Sequence, residues 1–231
     1  MLHIDVLTIF PGMFTGVLEA SMLKIAAQKG LLRVQLHDLR DWTDDPHRSV
    51  DDRPFGGGPG MVLMVEPLVN AVRDLSRRPL GDGRASAPRL LLTCPSGRRF
   101  DQAWARELAR EERLLIVAGH YEGYDQRILE LLQPEELSIG DYVLTGGEIP
   151  ALAVIDAVTR LIPGVLGHPE SSAAESFGED RLLDFPQYTR PAEFAGLRVP
   201  EILLSGDHAK VDRWRREQAR ERTRQRRPDL L

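Results

Sequence analysis

The chain opens on a run of apolar, β-prone residues from Leu2 to Ile9, which Pro11 and Gly12 interrupt. After the break Phe14, Val17, Leu18, Met22 and Ile25 recur at helical spacing until Gly30, so the pattern predicts a strand and then one helix. Leu32, Val34 and Leu36 alternate with polar neighbours and predict a second strand. Strand, helix and strand in that order make a βαβ unit, which calls for a parallel sheet. Helical spacing returns in 66–78, 100–110, 124–132 and 148–161, and buried-type strand runs lie at 89–93, 114–118 and on the approach to Ile139. The fold class is therefore α/β, a parallel sheet with helices on both faces.

Each of those three later strands is predicted to stop in a glycine-bearing loop: Cys94-Pro95-Ser96-Gly97, Gly119-His120-Tyr121-Glu122-Gly123, and the stretch from Ser138 to Pro150. Ligands of open α/β sheets collect beyond the carboxyl ends of the strands, so the three loops are expected to share one pocket. The last is the richest, with Gly140, Gly146 and Gly147 permitting close backbone approach beside Asp141 and Glu148. It reads either as a ligand loop or as a glycine-punctuated turn between strand and helix.

Two segments carry little regular pattern. Residues 38–61 form a long irregular stretch with Asp51, Asp52 and a glycine cluster at 56–60; a loop of that length inside a domain is usually functional. No Gly-Lys-Ser/Thr follows the glycines and the dinucleotide spacing is absent, so a nucleoside-triphosphate site is a poor fit. The adjacent aspartates are open to two readings, a metal- or base-orienting pair or a solvated turn. Residues 163–181 are rich in Gly, Pro, Ser, Ala and acidic residues, the composition of a linker. The expected division is a cofactor-binding domain over 1–166, a flexible linker over 167–181 and a small helical domain over 182–231.

Composition narrows the classes further. The 231 residues are 42% hydrophobic and 28% charged, ordinary for a globular protein, and no apolar run approaches the roughly 20 residues of a membrane span. Met1-Leu2-His3-Ile4-Asp5 lacks the basic start of a signal peptide, so a cytoplasmic protein is expected. Cys94, the single cysteine, allows no intramolecular disulfide and reads as a buried thiol. A net charge of −5 argues against indiscriminate coating of nucleic acid. The charge is uneven, however: from Asp207 onward Lys210 and eight arginines outnumber the acidic residues, which suits a phosphate-facing end. A backbone-walled pocket fits an adenine-like heterocycle and a basic module behind a linker fits a structured polyanion, so the two point to nucleic-acid modification with a small cofactor.

Ordered blocks along nearly the whole chain then match a known family. They are Leu7-Thr8-Ile9-Phe10-Pro11, residues 50–61, Tyr121-Glu122-Gly123, residues 138–148, residues 162–167, Tyr188-Thr189-Arg190-Pro191 and residues 203–208. The chain resembles the bacterial tRNA (guanine-37-N1)-methyltransferases of the SPOUT superfamily. That resemblance implies methyl transfer from S-adenosylmethionine to N1 of the guanine 3′ of the anticodon in tRNA, by a homodimer whose site lies at the subunit interface. It implies a trefoil knot built from the three loops, which general connection rules would exclude. Carried over by motif, the cofactor wall is Thr93, Pro95, Gly119, Tyr121, Glu122, Gly123, Ser138, Ile139, Gly140, Tyr142, Leu144, Gly146, Gly147 and Pro150. Arg160 falls at the family's catalytic arginine. Glu175, before Ser176-Phe177, occupies the slot of its general base, where an aspartate is usual. His47, Asp51 and Asp184 fall at substrate-facing positions. Mg²⁺ is implied only as a transient ion, with no resident metal site. Besides Glu175, His120 stands where the family commonly has Arg and Phe55 where it commonly has Tyr.

The chemistry calls for two of these groups. Guanine N1 carries a proton that must leave as the methyl arrives, and negative charge then builds on O6. A carboxylate takes the proton and an arginine stabilises the oxygen.

Overall fold

The computed structural model describes residues 1–167, 175–178 and 180–231. The linker expected over 167–181 falls largely outside them, and Glu170, which with Asp180 is a second linker candidate for the base beside Glu175, falls wholly outside. By its internal contacts the chain divides into two compact units, Met1–Leu166 and Gly167–Leu231.

In the first unit the leading strand β1 (Leu2–Thr8) is followed by two short helices, α1 (Thr15–Leu18) and α2 (Ser21–Gln28), and then β2 (Leu32–Asp38). The single helix expected here is broken at Ala20, which is extended, and Ser21, whose φ is +47°. The reason is geometric. Phe14 and Leu23 are both buried in one core, yet nine residues of continuous helix would turn them about 180° apart. Breaking the helix lets both face inward.

The chain continues through β3 (Asp51–Asp52), β4 (Val62–Leu63), α3 (Val65–Arg77), β5 (Arg89–Arg99), α4 (Gln102–Leu108), β6 (Arg113–Ala118), α5 (Arg127–Leu132), β7 (Glu135–Ser138) and α6 (Glu148–Thr159). Five strands form one parallel sheet in the order β2-β1-β6-β5-β7, and β3 pairs antiparallel with β4. Period-two alternation splits its side chains. Ile4, Val6, Leu91, Leu114 and Ile116 meet one core with Trp104 and Val154, while Leu7, Leu92, Leu115 and Val117 meet the other with Leu68 and Val72.

One strand overturns its expectation. Residues 94–97 are not a loop that ends a strand, because β5 runs on to Arg99: its register against β7 slips between Thr93 and Arg98, both of which face Leu137. A Cβ at Gly97 would come within 2.5 Å of the Glu136 backbone, so the bulge fits only where that residue has no side chain.

A buried polar cluster anchors the sheet to α3. Arg113 donates to Asp5 at 2.9 Å and to the carbonyls of Arg78 and Leu75 at 2.7 and 2.8 Å, closing the carboxyl end of α3. His37 completes the cluster, with Nε2 at 2.8 Å from Asp5 Oδ1. Burial pushes the Asp5 carboxyl upward, but the His37 and Arg113 hydrogen bonds outweigh it and its pKa lies below the ordinary value. A depressed folded-state value means that this stabilisation is complete above the normal carboxylate range and is lost as pH falls through the lowered value. Arg113→Met strands the carboxylate and is expected to destabilise the fold by about 3 kcal/mol, measured by urea unfolding, with the difference from wild type shrinking in acid.

The second unit holds a two-stranded hairpin, β8 (Glu193–Phe194) and β9 (Leu197–Arg198), and the 19-residue helix α7 (His208–Arg226). Asp207 caps α7 by accepting from the Lys210 amide at 3.1 Å. Val211, Ala219 and Thr223 make its narrow buried stripe. Arg213, Arg216, Arg220 and Arg224 stay exposed, so the basic run is a solvated helix face.

Candidate active site

At the bulge within β5 and beyond the carboxyl ends of β6 and β7 the three segments meet around a cavity of about 380 Å³. Its wall includes Thr93, Pro95, Gly119, Tyr121, Glu122, Gly123, Ser138, Ile139, Gly140, Tyr142, Leu144, Gly146, Gly147 and Pro150, so the structure brings together the whole set expected from sequence. Backbone bonds set the shape. The Gly147 amide donates to Gly119 O at 2.7 Å, and His120 bridges to Gly146, which locks the loop after β6 against the loop before α6. Thr93 Oγ1 donates to Val117 O at 3.2 Å, and the Tyr124 hydroxyl donates to Thr93 O at 3.1 Å beneath that junction. Burial raises the Tyr124 pKa far above the usual phenol value, so it stays a neutral donor. In the remaining loop Ser138 Oγ donates to Gly140 O at 3.1 Å and accepts from Gly140 N at 3.3 Å. The walls are thus main-chain amides and carbonyls with few charges, a surface suited to a flat heterocycle.

Cys94, Ser96, His120, Val143 and Thr145 line it as members of the three expected loops, whereas Tyr124, Gln126, Leu129, Glu136 and Leu137 lie outside those loops and were missed. Adjacency to the named motif residues was the available signal. Cys94 was expected buried and is half-buried in this wall. Burial pushes its thiol up, and it hydrogen-bonds Ser96 and Glu136, which suits packing rather than nucleophilic attack.

The remaining expected residues lie in both units. Asp51, on β3, acts on the Tyr121 hydroxyl through its charge: burial first and this carboxylate second raise the Tyr121 pKa. Tyr121 itself holds φ +61°, a conformation uncommon for a bulky residue. Glu122 is fixed by its amide donating to Met61 O at 3.0 Å, so the end of the 56–61 loop holds a residue of the pocket wall. His47 is exposed on a turn closed by Asp45 and is not among the cavity residues. Arg160 follows α6 as its cap, its amide donating to Asp156 O at 3.2 Å. The 12 residues of α6 span about 18 Å at about 1.5 Å each, so Arg160 sits far from Gly147 in the same chain.

In the second unit Glu175 and Asp184 border one hollow of about 600 Å³ with Asp180, Asp212, Arg215 and Arg216. Glu175 begins a turn closed by the Gly178 amide, and the Asp184 amide donates to Ser176 Oγ at 2.9 Å. Asp184 Oδ1 accepts from Phe185 N, and Oδ2 from Gln187, so its carboxylate also has a local structural task.

Fold and site define a parallel α/β protein whose ligand pocket is made of backbone at the β5 bulge and the ends of β6 and β7. The sequence profile of the family described as tRNA (Guanine-1)-methyltransferase TrmD matches residues 2–231. A tRNA (guanine-N(1)-)-methyltransferase of Rhodopirellula baltica is 55% identical over all of this chain and 94% of its own length. Enzymes of the same name from Moorella thermoacetica and Bacillus subtilis are 56% and 52% identical over all of this chain and 90% and 92% of theirs. The chain belongs to the tRNA (Guanine-1)-methyltransferase TrmD family, and it is an enzyme of the methyltransferase class.

Proposed function

We propose that the protein transfers a methyl group from S-adenosylmethionine to N1 of guanine 37, the nucleotide 3′ of the anticodon in tRNA, acting as a cytoplasmic homodimer. The observation that carries this reading is the backbone-walled cavity at the β5 bulge and the ends of β6 and β7, in a chain matched over all its length by relatives named for the activity.

The pocket fits the cofactor in kind. Amides and carbonyls from the three segments offer paired donors and acceptors to adenine, and Gly147 leaves room where a Cβ would fall within 2.6 Å of Gly119 N. In this reading the segments are threaded as the trefoil knot of the SPOUT superfamily. When bound, the cofactor supplies an electrophilic methyl group on a sulfonium. Everything else falls to the chain's own groups. Glu175 accepts the N1 proton, Arg160 stabilises the charge that gathers on O6, and Asp51, Asp184 and His47 orient the base. The exposed arginines of α7 contact phosphates. Residues 167–181 serve as the linker between the domains over 1–166 and 182–231.

The distance between Arg160 and the pocket along α6 supports the dimer: one copy's arginine serves the cavity of the other. Mg²⁺ enters as a transient ion. Among the described residues no group of three or more His, Cys, Asp or Glu is placed to hold a metal, and no helix is long and apolar enough to cross a membrane.

The test is methyl incorporation into an unmodified tRNA transcript, mapped to the nucleotide, with a transcript lacking guanine at that position as control. Label confined to N1 of that guanine is expected, and none at all overturns the reading. Arg160→Ala is expected to lower turnover about a hundredfold while cofactor affinity holds; wild-type turnover would remove Arg160 from the mechanism.

A further inference from the structure

Glu148 is wholly buried in the first turn of α6, and the proposed chemistry gives it no task. Its Oε1 accepts from Thr8 Oγ1 at 2.6 Å, at the carboxyl end of β1, and Thr8 Oγ1 accepts in turn from the Phe10 amide at 2.9 Å. Its Oε2 lies 3.1 Å from His120 Nε2, an ion-pair distance, but off the line a good hydrogen bond takes, so that oxygen has no aligned donor. A buried carboxylate oxygen in that state is costly and calls for an explanation.

Its surroundings supply one. The His120 ring is held edge-on by Phe10, with centroids 4.8 Å apart, and by Tyr121 at 5.8 Å. A Cβ at Gly146 would strike both His120 Nε2 and Glu148 Oε2, so that glycine leaves room for the pair. His120 O also accepts from the Gly123 amide at 3.3 Å, closing the turn in which Tyr121 is held left-handed. Backbone strain of that kind persists only where neighbours over-determine it.

We propose that Glu148 is a positioning residue: its buried carboxylate holds the His120 imidazole, and through it the 119–123 turn, in the shape that receives S-adenosylmethionine. This rests on the cofactor reading of the cavity. Thr8 anchors the carboxylate from the sheet side, and the helix start favours its negative charge. His120 is placed to transmit the constraint because it both borders the cavity and begins the strained turn. The misaligned contact has room to tighten when the cavity fills, as site hydrogen bonds commonly do.

The experiment is a double-mutant cycle on full-length protein, read by calorimetric binding of S-adenosylmethionine and by its KM and kcat. Glu148→Gln and His120→Ala are each expected to weaken binding about tenfold, and the double variant no more than either alone. KM should rise more than kcat falls. His120→Gln, which keeps an N–H near the same place, should recover part of the loss. Additive losses, or wild-type affinity in Glu148→Gln, overturn the proposal. Should Glu148→Gln not fold, Thr8→Val against Thr8→Ser decides: Ser must bind the tighter of the two, and equal affinity overturns it. If the wild type binds no S-adenosylmethionine, the cofactor reading itself falls and this inference with it, whereas loss of coupling alone sinks only the inference.

Discussion

Glu175→Ala will lower single-turnover methyl transfer on the order of a thousandfold at saturating cofactor, with cofactor affinity held. General-base catalysis contributes about two to four powers of ten, and guanine N1 cannot attack while it keeps its proton. The turn does not depend on that carboxylate for its backbone bonds. Gly178 N donates to Glu175 O, Phe177 N to Leu182 O at 2.8 Å, and Asp184 N to Ser176 Oγ, all independent of the Glu175 side chain. Alanine therefore deletes the base and keeps these bonds. Glu175→Asp retains a carboxylate one methylene shorter, in the form usual for the family, and is expected to keep most of the rate. An active alanine variant would move the base elsewhere, with Asp180 and Asp184 beside the same hollow as the next to be changed.

The second large effect is expected at Gly147. Its φ of −83° is one that any residue adopts, so alanine would meet no conformational penalty there. Space is the obstacle. The added Cβ would lie 2.6 Å from Gly119 N and 2.9 Å from Ala118 Cα, and closer still to Thr93 Oγ1. Backbone atoms cannot swing aside, so the 2.7 Å bond from Gly147 N to Gly119 O must open and the two loops part. Displacements of about 1 Å at a positioned site cost about a hundredfold, and a loss of cofactor affinity of at least that size is expected by calorimetry. Overpacking should also lower stability by about 2 kcal/mol. Wild-type affinity in Gly147→Ala would show that the loops do not form the cofactor wall.

Much of the cavity was legible in the sequence because its signals are local. Short apolar runs followed by glycine mark buried strands and a break in them, which proved to be a turn after β6 and after β7 and a bulge within β5. Glu148 was not legible. A carboxylate after two glycines at a helix start reads as an exposed dipole-complementing charge, and only Thr8, 140 residues away, and His120 make it a buried one. Arg160 was assigned by motif alone. Its separation from Gly147 along α6 is a matter of helix length in three dimensions.

Period and punctuation in the chain alone determined a parallel α/β fold, the positions of β1, β5, β6 and α6, and the segments that build the pocket, since hydrophobic spacing and glycine act over a few residues. The tertiary structure decided the rest: the break at Ala20 that turns Phe14 and Leu23 to one core, the continuation of β5 past its bulge, and the burial of Glu148. Each depends on a partner distant in sequence, Leu137 for the strand and Thr8 for the carboxylate, and a local pattern holds no record of which distant residue will come to lie beside it.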